Sequence, residues 1–437
     1  MLVHQTPVPP CGWNSYDSYS IFINEQEAIA NIDAFIRLLK PHGYEYFVID
    51  ACWYRDGGFM DHYREYKCSG PRMTCHIDQW GRFIPSPVQF PHGLRALADR
   101  CHAGGIKFGL HLMRGLPALA IEQNTPVKGA PGIHARDIAD FSNPSAWPAP
   151  YMGAGIDMSK PGAQEYYDSV VEYMTEELTV DFLKYDDIQE YPEEYEAVAR
   201  AIEKVSRPVV LSISPGTNTS PLNWKRLAKA ANMVRITGDI WDGECSHWRE
   251  KLDRWELMQG LGSPDCWIDL DMLPIGGIQA NIPEDTPEEC IPVWGVRRKS
   301  YNTLAQNQML MAQMALARSP LFYGGDLPMS DEQDIALVTN PDMLECNRCG
   351  EGAQLVCKNN LADVRRSFRQ GSRSSGWIGI FNIAAYRKDF RFTTEELGLP
   401  GGFPAAFTNV WTGEKIIPEN GFLSVSIPSW ESLFLKF

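Results

Sequence analysis

"FLKYDDIQ", residues 182–189, reads as an apolar β-strand that ends on a lysine and two adjacent aspartates. Carboxylates are costly to bury and usually lie on the surface. A strand that delivers them to its end either meets solvent there or carries chemistry. The residues around it decide which.

Similar short apolar runs recur along the chain. They are "CGWNSY" (11–16), "YFVIDA" (46–51), "FGLHLM" (108–113), "VVLSIS" (209–214), "MVRITGDI" (233–240), "CWIDLDM" (266–272) and "PLFYGG" (320–325). Between them lie segments with apolar residues at helical spacing. "NEQEAIANIDAFIRLLK" starts on Asn24 as an N-cap, and "GAQEYYDSVVEYMTEEL", "EYEAVARAIEKV", "HWREKLDRWELMQGL" and "TLAQNQMLMAQMALAR" follow the same pattern. Strand–helix alternation implies a parallel sheet. Eight such strands predict a (β/α)8 TIM barrel over residues 1–344. A doubly wound sheet is the alternative, but no glycine-rich nucleotide fingerprint follows the first strand. From residue 345 the texture changes. "GWIGIFNI", "KDFRF", "FTNVWTGEKI", "FLSVSIP" and "SLFLKF" follow one another without helices. This predicts a C-terminal antiparallel β-sandwich over 345–437.

Composition narrows the function. The chain has 437 residues, 44% of them apolar, enough for a large core and a second, smaller domain. A net charge of −15 repels nucleic acids and anionic membranes. The basic runs Arg297-Arg298-Lys299 and Arg365-Arg366 are short and read as solvated faces. The opening "MLVHQTPVPPCGWNS" has no basic n-region and no apolar h-region, and no stretch reaches the ~18 apolar residues of a membrane span. Eleven cysteines without a secretory signal read as mostly reduced thiols of a cytoplasmic protein. Cys346 and Cys349 form one CxxC, but no second pair has zinc-ribbon spacing, so two loop cysteines is the plainer reading. The nine histidines contain no HExxH. No metal and no cofactor are expected. A homo-oligomer stays open.

In a (β/α)8 barrel the active site lies at the C-terminal ends of the strands. Reading those ends gives Trp13 and Asp17, then Asp50 and Trp53, His111 and Arg114, Lys184 and Asp186. Ser212 and Ser214, Arg235 and Asp239, Asp269 and Asp271, and Asp326 complete the series. Singly, a strand-end aspartate more often caps a helix, a lysine joins a rim salt bridge, and a tryptophan or histidine sits in the core. Together, carboxylates, cations and tryptophans from at least five strands make a sugar-binding lining. Side chains alternate along a strand, so Lys184 and Asp186 share one face while Tyr185 and Asp187 share the other. A cation beside Asp186 helps keep it ionised, as a nucleophile requires. Asp187 then turns away, to cap the next helix or hold a loop. Arg235, Thr237 and Asp239 share a face by the same count.

The motifs "PPCGWNSYDSY", "YFVIDACW", "FLKYDD", "RITGDIWD", "DLDMLPIG" and "ARSPLFYGGDL" resemble, in order and spacing, those of glycoside hydrolase family 27. That family contains α-galactosidases, α-N-acetylgalactosaminidases and β-L-arabinopyranosidases. The resemblance implies a retaining, double-displacement exo-glycosidase without cofactor, acting on a galacto-configured saccharide. It assigns Asp186 as nucleophile and Asp239 as acid/base. It also implies that Trp13 packs on the sugar, that Lys184 and Asp50 hold ring hydroxyls, that Arg235 contacts substrate, and that Asp271 and Met272 lie near the sugar. Trp53, His111 and Ser214 join this substrate-binding set from the strand ends. α-Galactosidase is the first expectation, β-L-arabinopyranosidase the second and α-N-acetylgalactosaminidase the third. Two departures bear on that order. Ala51 stands where α-galactosidases carry a second aspartate, which is expected to loosen recognition at C4–C6 of the sugar. Ser214 stands where many α-galactosidases have glutamate, and a serine there occurs in N-acetylgalactosaminidases.

Overall fold

The computed structural model describes residues 6–58, 74–145, 151–288, 291, 295–358 and 361–437. Eight short strands come first in chain order: β1 (Cys11–Asn14), β2 (Tyr46–Ile49), β3 (Lys107–Met113), β4 (Phe182–Asp186), β5 (Val210–Ile213), β6 (Met233–Arg235), β7 (Trp267–Asp269) and β8 (Leu321–Tyr323). They form one sheet in the order β7-β6-β5-β4-β3-β2-β1-β8, and each neighbouring pair is parallel. The residues just after β7 close the ring. Leu273 donates its N–H to Phe322 O at 2.9 Å and accepts from Gly324 N–H at 2.9 Å. Closure makes this the expected barrel and not an open doubly wound sheet.

Parallel neighbours need crossovers, and helices supply them. These are α1 (Glu25–Leu38), α2 (Gly93–Ala103), α3 (Ala163–Glu172), α4 (Pro192–Lys204), α5 (Pro221–Ala230), α6 (Cys245–Leu257) and α7 (Leu304–Ala317), and α8 (Pro341–Cys349) follows β8. Asn24 caps α1 as its sequence suggests: its side chain accepts from Glu27 N–H, while Glu27 answers the Asn24 N–H. Ala28, Ile32 and Phe35 bury one face of that helix against the strands.

The barrel lumen is packed. Val48, Phe182, Val210, Met233, Trp267 and Phe322 form a buried apolar plug. From below, Thr6 O accepts from Trp267 Nε1 at 2.9 Å. Gly12 completes this layer: a Cβ there would lie 2.3 Å from Tyr46 O and 2.7 Å from the Phe322 ring.

Helix α8 runs across the expected boundary at 344/345, and the first C-terminal strand starts at Gln354. Cys346 and Cys349 are therefore helical, not loop, residues, and both are free thiols. Strands β9 (Gln354–Lys358), β10 (Ala362–Phe368), β11 (Gly376–Asn382), β12 (Lys388–Phe392), β13 (Phe407–Asn409), β14 (Lys415–Ile416), β15 (Leu423–Ile427) and β16 (Ser432–Lys436) follow. They pair antiparallel as a six-stranded sheet, β9-β10-β11-β16-β13-β14, and a β12–β15 pair. Val364, Ile378, Ile380, Phe390, Phe392 and Leu423 fill the space between the two sheets. The other face of the large sheet, with Trp377, Phe381 and Phe434, joins the barrel core.

Candidate active site

Above the plug opens a cavity of about 380 Å³. Its lining is Tyr16, Asp17, Asp50, Met113, Lys184, Asp186, Asp187, Pro215, Thr217, Arg235, Asp239, Ile240, Trp241, Asp271 and Met272. The register explains much of this set. His111, Lys184 and Ser212 stand level on β3, β4 and β5, and Asp186 stands one layer higher, level with Met113.

Asp186 is held by three groups. His111 Nε2 lies 2.9 Å from its Oδ2, Lys184 Nζ lies 3.6 Å from the same oxygen, and Ser214 Oγ donates to Oδ1. Burial alone would raise this carboxyl, but Lys184, His111 and Arg235 outweigh it and hold Asp186 well below the usual carboxylate range. Lys184 also donates to Asp50 Oδ2 at 2.9 Å, and Asn14 Nδ2 donates to the same oxygen at 2.7 Å. Asp50 is lowered too: burial opposes ionisation, and Lys184 followed by His111 overcomes it. Lys184 is in turn raised, because Asp186 and Asp50 together outweigh its burial. The floor is thus a fixed arrangement of two carboxylates around one ammonium.

Arg235 forms a second arrangement. It donates to Asp271 Oδ1 at 3.0 Å and to Asp239 Oδ1 at 2.5 Å. Asp271 sits at φ +79°, a conformation rare for a residue with a side chain. Arg235, the Ile240 N–H at 2.8 Å and its own N–H bonded to Asp269 Oδ1 at 2.9 Å hold it there. Asp239 differs from every other carboxylate here: its side chain is 68% exposed, at the cavity mouth. Asp186, whose side chain is 17% exposed, lies deeper in the same cavity. One deep carboxylate, favoured in its ionised form by the neighbouring cations, and one solvent-facing carboxylate can divide nucleophilic and proton-transfer work between them.

Asp187 lies past the strand end at φ +58°. Its Oδ2 accepts from Ser145 Oγ at 2.7 Å, and Arg114 Nε donates to its carbonyl at 2.8 Å. It anchors a loop, one of the two roles expected of it. The N-cap of α4 is Tyr191.

Four expected substrate contacts lie elsewhere. Trp13 is fully buried, stacked on Phe47 with ring centroids 4.5 Å apart, and its Nε1 donates to Gly325 O. The cause is strand parity. Gly12 takes the lumen side, so Trp13 faces the helix layer and Asn14 turns back to Asp50. Trp53 is also core, with its Nε1 donating to His111 O at 2.8 Å. His111 is fully buried, and Ser214 is 2% exposed. Both face Asp186 from behind, so they position the carboxylate and do not line the cavity. Ser214 donates its hydroxyl to Asp186 and lines a small recess with Lys184, Arg235, Asp271 and Met272. Ala51 is 1% exposed and outside the lining: Asp50 Oδ1 accepts its N–H, and the chain turns inward at Cys52, φ +68°. Among the other strand-end acids, Asp326 belongs to a separate buried cluster with Tyr19 and Asn31. Asp17 does line the cavity. Its Oδ2 has no hydrogen-bond partner among the described residues, and burial followed by the nearby Asp271 raises its carboxyl well above the usual range.

The aromatic lining comes from Tyr16 and Trp241, whose rings are tilted at 53° with centroids 6.2 Å apart. Both lie inside quoted motifs, "PPCGWNSYDSY" and "RITGDIWD", and that membership is their sequence signal.

No protein-family model matches the chain. A crystal structure of a family 27 β-L-arabinopyranosidase from Geobacillus stearothermophilus, in complex with arabinose, is 31% identical to it. That structure superposes with a TM-score of 0.88 and covers 98% of this chain and 97% of its own. An α-galactosidase of Oryza sativa subsp. japonica is 23% identical over 428 residues, 96% of this chain and 82% of that one. An α-N-acetylgalactosaminidase of Rattus norvegicus is 24% identical and covers 96% of this chain and 89% of its own.

Proposed function

The chain belongs to glycoside hydrolase family 27, acting on O-glycosyl bonds, and from that premise we propose a retaining exo-glycosidase that removes a terminal galacto-configured pyranose. The carrying observation is the pairing of Asp186, kept ionised by Lys184 and His111, with the solvent-facing Asp239 in one cavity. Asp186 attacks the anomeric carbon and forms a glycosyl ester, while Asp239 gives a proton to the departing oxygen. Asp239 then takes a proton from water, whose oxygen attacks the same carbon and frees Asp186. Lys184, Asp50 and Asp271 offer charged partners to ring hydroxyls.

Among galacto-configured sugars, the preferred substrate is a β-L-arabinopyranoside. The 31% identical relative, which has that activity, supports it. α-D-Galactoside is the second reading, supported by the curated α-galactosidases. Initial rates on p-nitrophenyl β-L-arabinopyranoside, α-D-galactoside and α-N-acetylgalactosaminide test this. The expected order is arabinoside, galactoside, then the N-acetyl sugar. Fastest turnover of the N-acetyl sugar, or of none, overturns it. Trapping with the matched 2-deoxy-2-fluoro glycosyl fluoride and peptide mass spectrometry should place the adduct on Asp186, and an adduct on Asp187 defeats the assignment.

A further inference from the structure

The loop that carries Asp239 is fastened at almost every residue. Gly238 N–H donates to Glu250 Oε1 at 2.7 Å, Ile240 N–H to Asp271 Oδ2 at 2.8 Å, and Trp241 N–H to His247 Nδ1 at 3.0 Å. Gly243 N–H donates to Asn302 Oδ1 at 2.8 Å. Between them, Asp242 receives Arg298 Nη2 at 2.7 Å and Tyr301 N–H at 2.7 Å. A loop whose main chain is tied by four hydrogen bonds to three other segments is a rigid mount. Side chains on such a mount bind without an ordering cost.

Two side chains on this mount reach the cavity mouth: the carboxylate of Asp239 and, two residues on, the half-buried ring of Trp241. The floor holds Asp50, Lys184 and Asp186. Tyr16 spans the wall above it, its ring centroid 5.9 Å from Lys184 Nζ and 6.2 Å from the ring of Trp241 at the mouth. A group that gives its proton to the leaving oxygen must lie beside the leaving group. An aromatic ring mounted two residues from that carboxylate, in the lining of the same cavity, is placed to flank the aglycone.

We propose that Trp241 forms one side of a leaving-group subsite, which selects aglycones carrying a ring with a flat apolar face. An aryl group or the C–H face of a second pyranose has that chemistry. This rests on Asp239 being the acid/base of the reaction proposed above. Aromatic contacts of this kind add binding through dispersion and the ring quadrupole.

The test compares Trp241→Ala and Trp241→Tyr with the wild type on one glycon and three leaving groups: fluoride, p-nitrophenol and a second hexose. The glycon is whichever of the three sugars the wild type turns over, so a wrong glycon defeats the earlier reading while the leaving-group comparison stays measurable. Loss of one aromatic contact should lower kcat/KM of Trp241→Ala by about tenfold on the two ring-bearing substrates, against at most about twofold on the fluoride. Trp241→Tyr, which keeps a ring, should restore most of the difference. A larger loss on the p-nitrophenyl glycoside identifies an aryl aglycone, and a larger loss on the disaccharide identifies a sugar. Equal losses on fluoride and ring-bearing substrates overturn the proposal, because Trp241 would then act only through the pose of Asp239. No loss on any substrate overturns it too.

Discussion

A single methyl group, that of Ala51, occupies a place in the core where a carboxylate would cost stability without reaching the sugar. Its 1% exposure puts a new carboxylate into the core beside Asp50, whose Oδ1 already accepts the Ala51 N–H. An unpaired buried carboxylate costs on the order of 1–3 kcal/mol or more. Ala51→Asp should therefore lower the thermal midpoint and leave the ratio of galactoside to arabinopyranoside kcat/KM unchanged. A selective gain on the galactoside at an unchanged midpoint would show that position 51 faces the sugar. The residue scale also shows what strand alternation can read. Parity put Lys184 and Asp186 on one face, where Nζ and Oδ2 lie 3.6 Å apart, but it turned Asp187 away, and Asp187 lines the same cavity while it anchors a loop. Alternation gives the face of a residue but not its depth, so His111 and Ser214 were read as sugar contacts although they lie behind Asp186. Trp13 was misread because the motif outweighed the parity that Gly12 imposes. Tyr16 and Trp241 lie beyond their strands, where no period indicates facing.

Helix α6 carries a feature that periodicity could not flag. Lys251 is fully buried, and its Nζ meets Met314 Sδ at 3.7 Å. Burial pushes the ammonium down to about 8, although Asp271, Asp269 and Asp17 pull the other way. The unfolded lysine titrates near ~10.4. Between those values the unfolded chain binds more protons, so this group makes stability rise with pH from about 8 upward. Lys251→Met should be more stable than the wild type at pH 7, by an amount on the order of a few kcal/mol, because a well-packed apolar side chain replaces a buried charge. That advantage should shrink as pH climbs past the lysine range. Urea unfolding at pH 7 and pH 10 checks both statements. A variant less stable at pH 7 would mean that the surrounding acids depend on the ammonium. Helix α7 was more legible. Its sequence is apolar on nearly all sides, the mark of a helix covered all round. Residues from Met309 to Ala317 are buried accordingly, with Ala353 N–H donating to Leu316 O from the C-terminal side at 2.8 Å. Strand ends were legible only to within several residues. The β7 ladder stops at Asp269, where side chains of Ser319 and Asp269 itself accept the next N–H groups, whereas past Arg235 the backbone still bonds its neighbours, Ile236 N–H to Asp269 O.

At the scale of the molecule, the β-sandwich belongs to the same packed body as the barrel. Arg365 crosses between them, its guanidinium 3.9 Å from the Trp255 ring centroid and donating to Leu252 O at 2.9 Å. The alternation of strands and helices announced the barrel, and the later run of strands announced the sandwich. Their shared core was not readable, because contacts between distant segments leave no local period. The apolar plug of Phe182, Val210, Trp267 and Phe322 beneath the cavity has a kinetic meaning as well. A chamber sealed below works as a cul-de-sac. Whatever goes in first comes out last, so the departing aglycone must clear the doorway before the freed sugar can follow. The freed monosaccharide should therefore inhibit competitively against substrate, whereas the aglycone, released one step earlier, should give a non-competitive pattern. Product-inhibition kinetics will register that queue, and competitive inhibition by both products would mean that the sugar has a second way out.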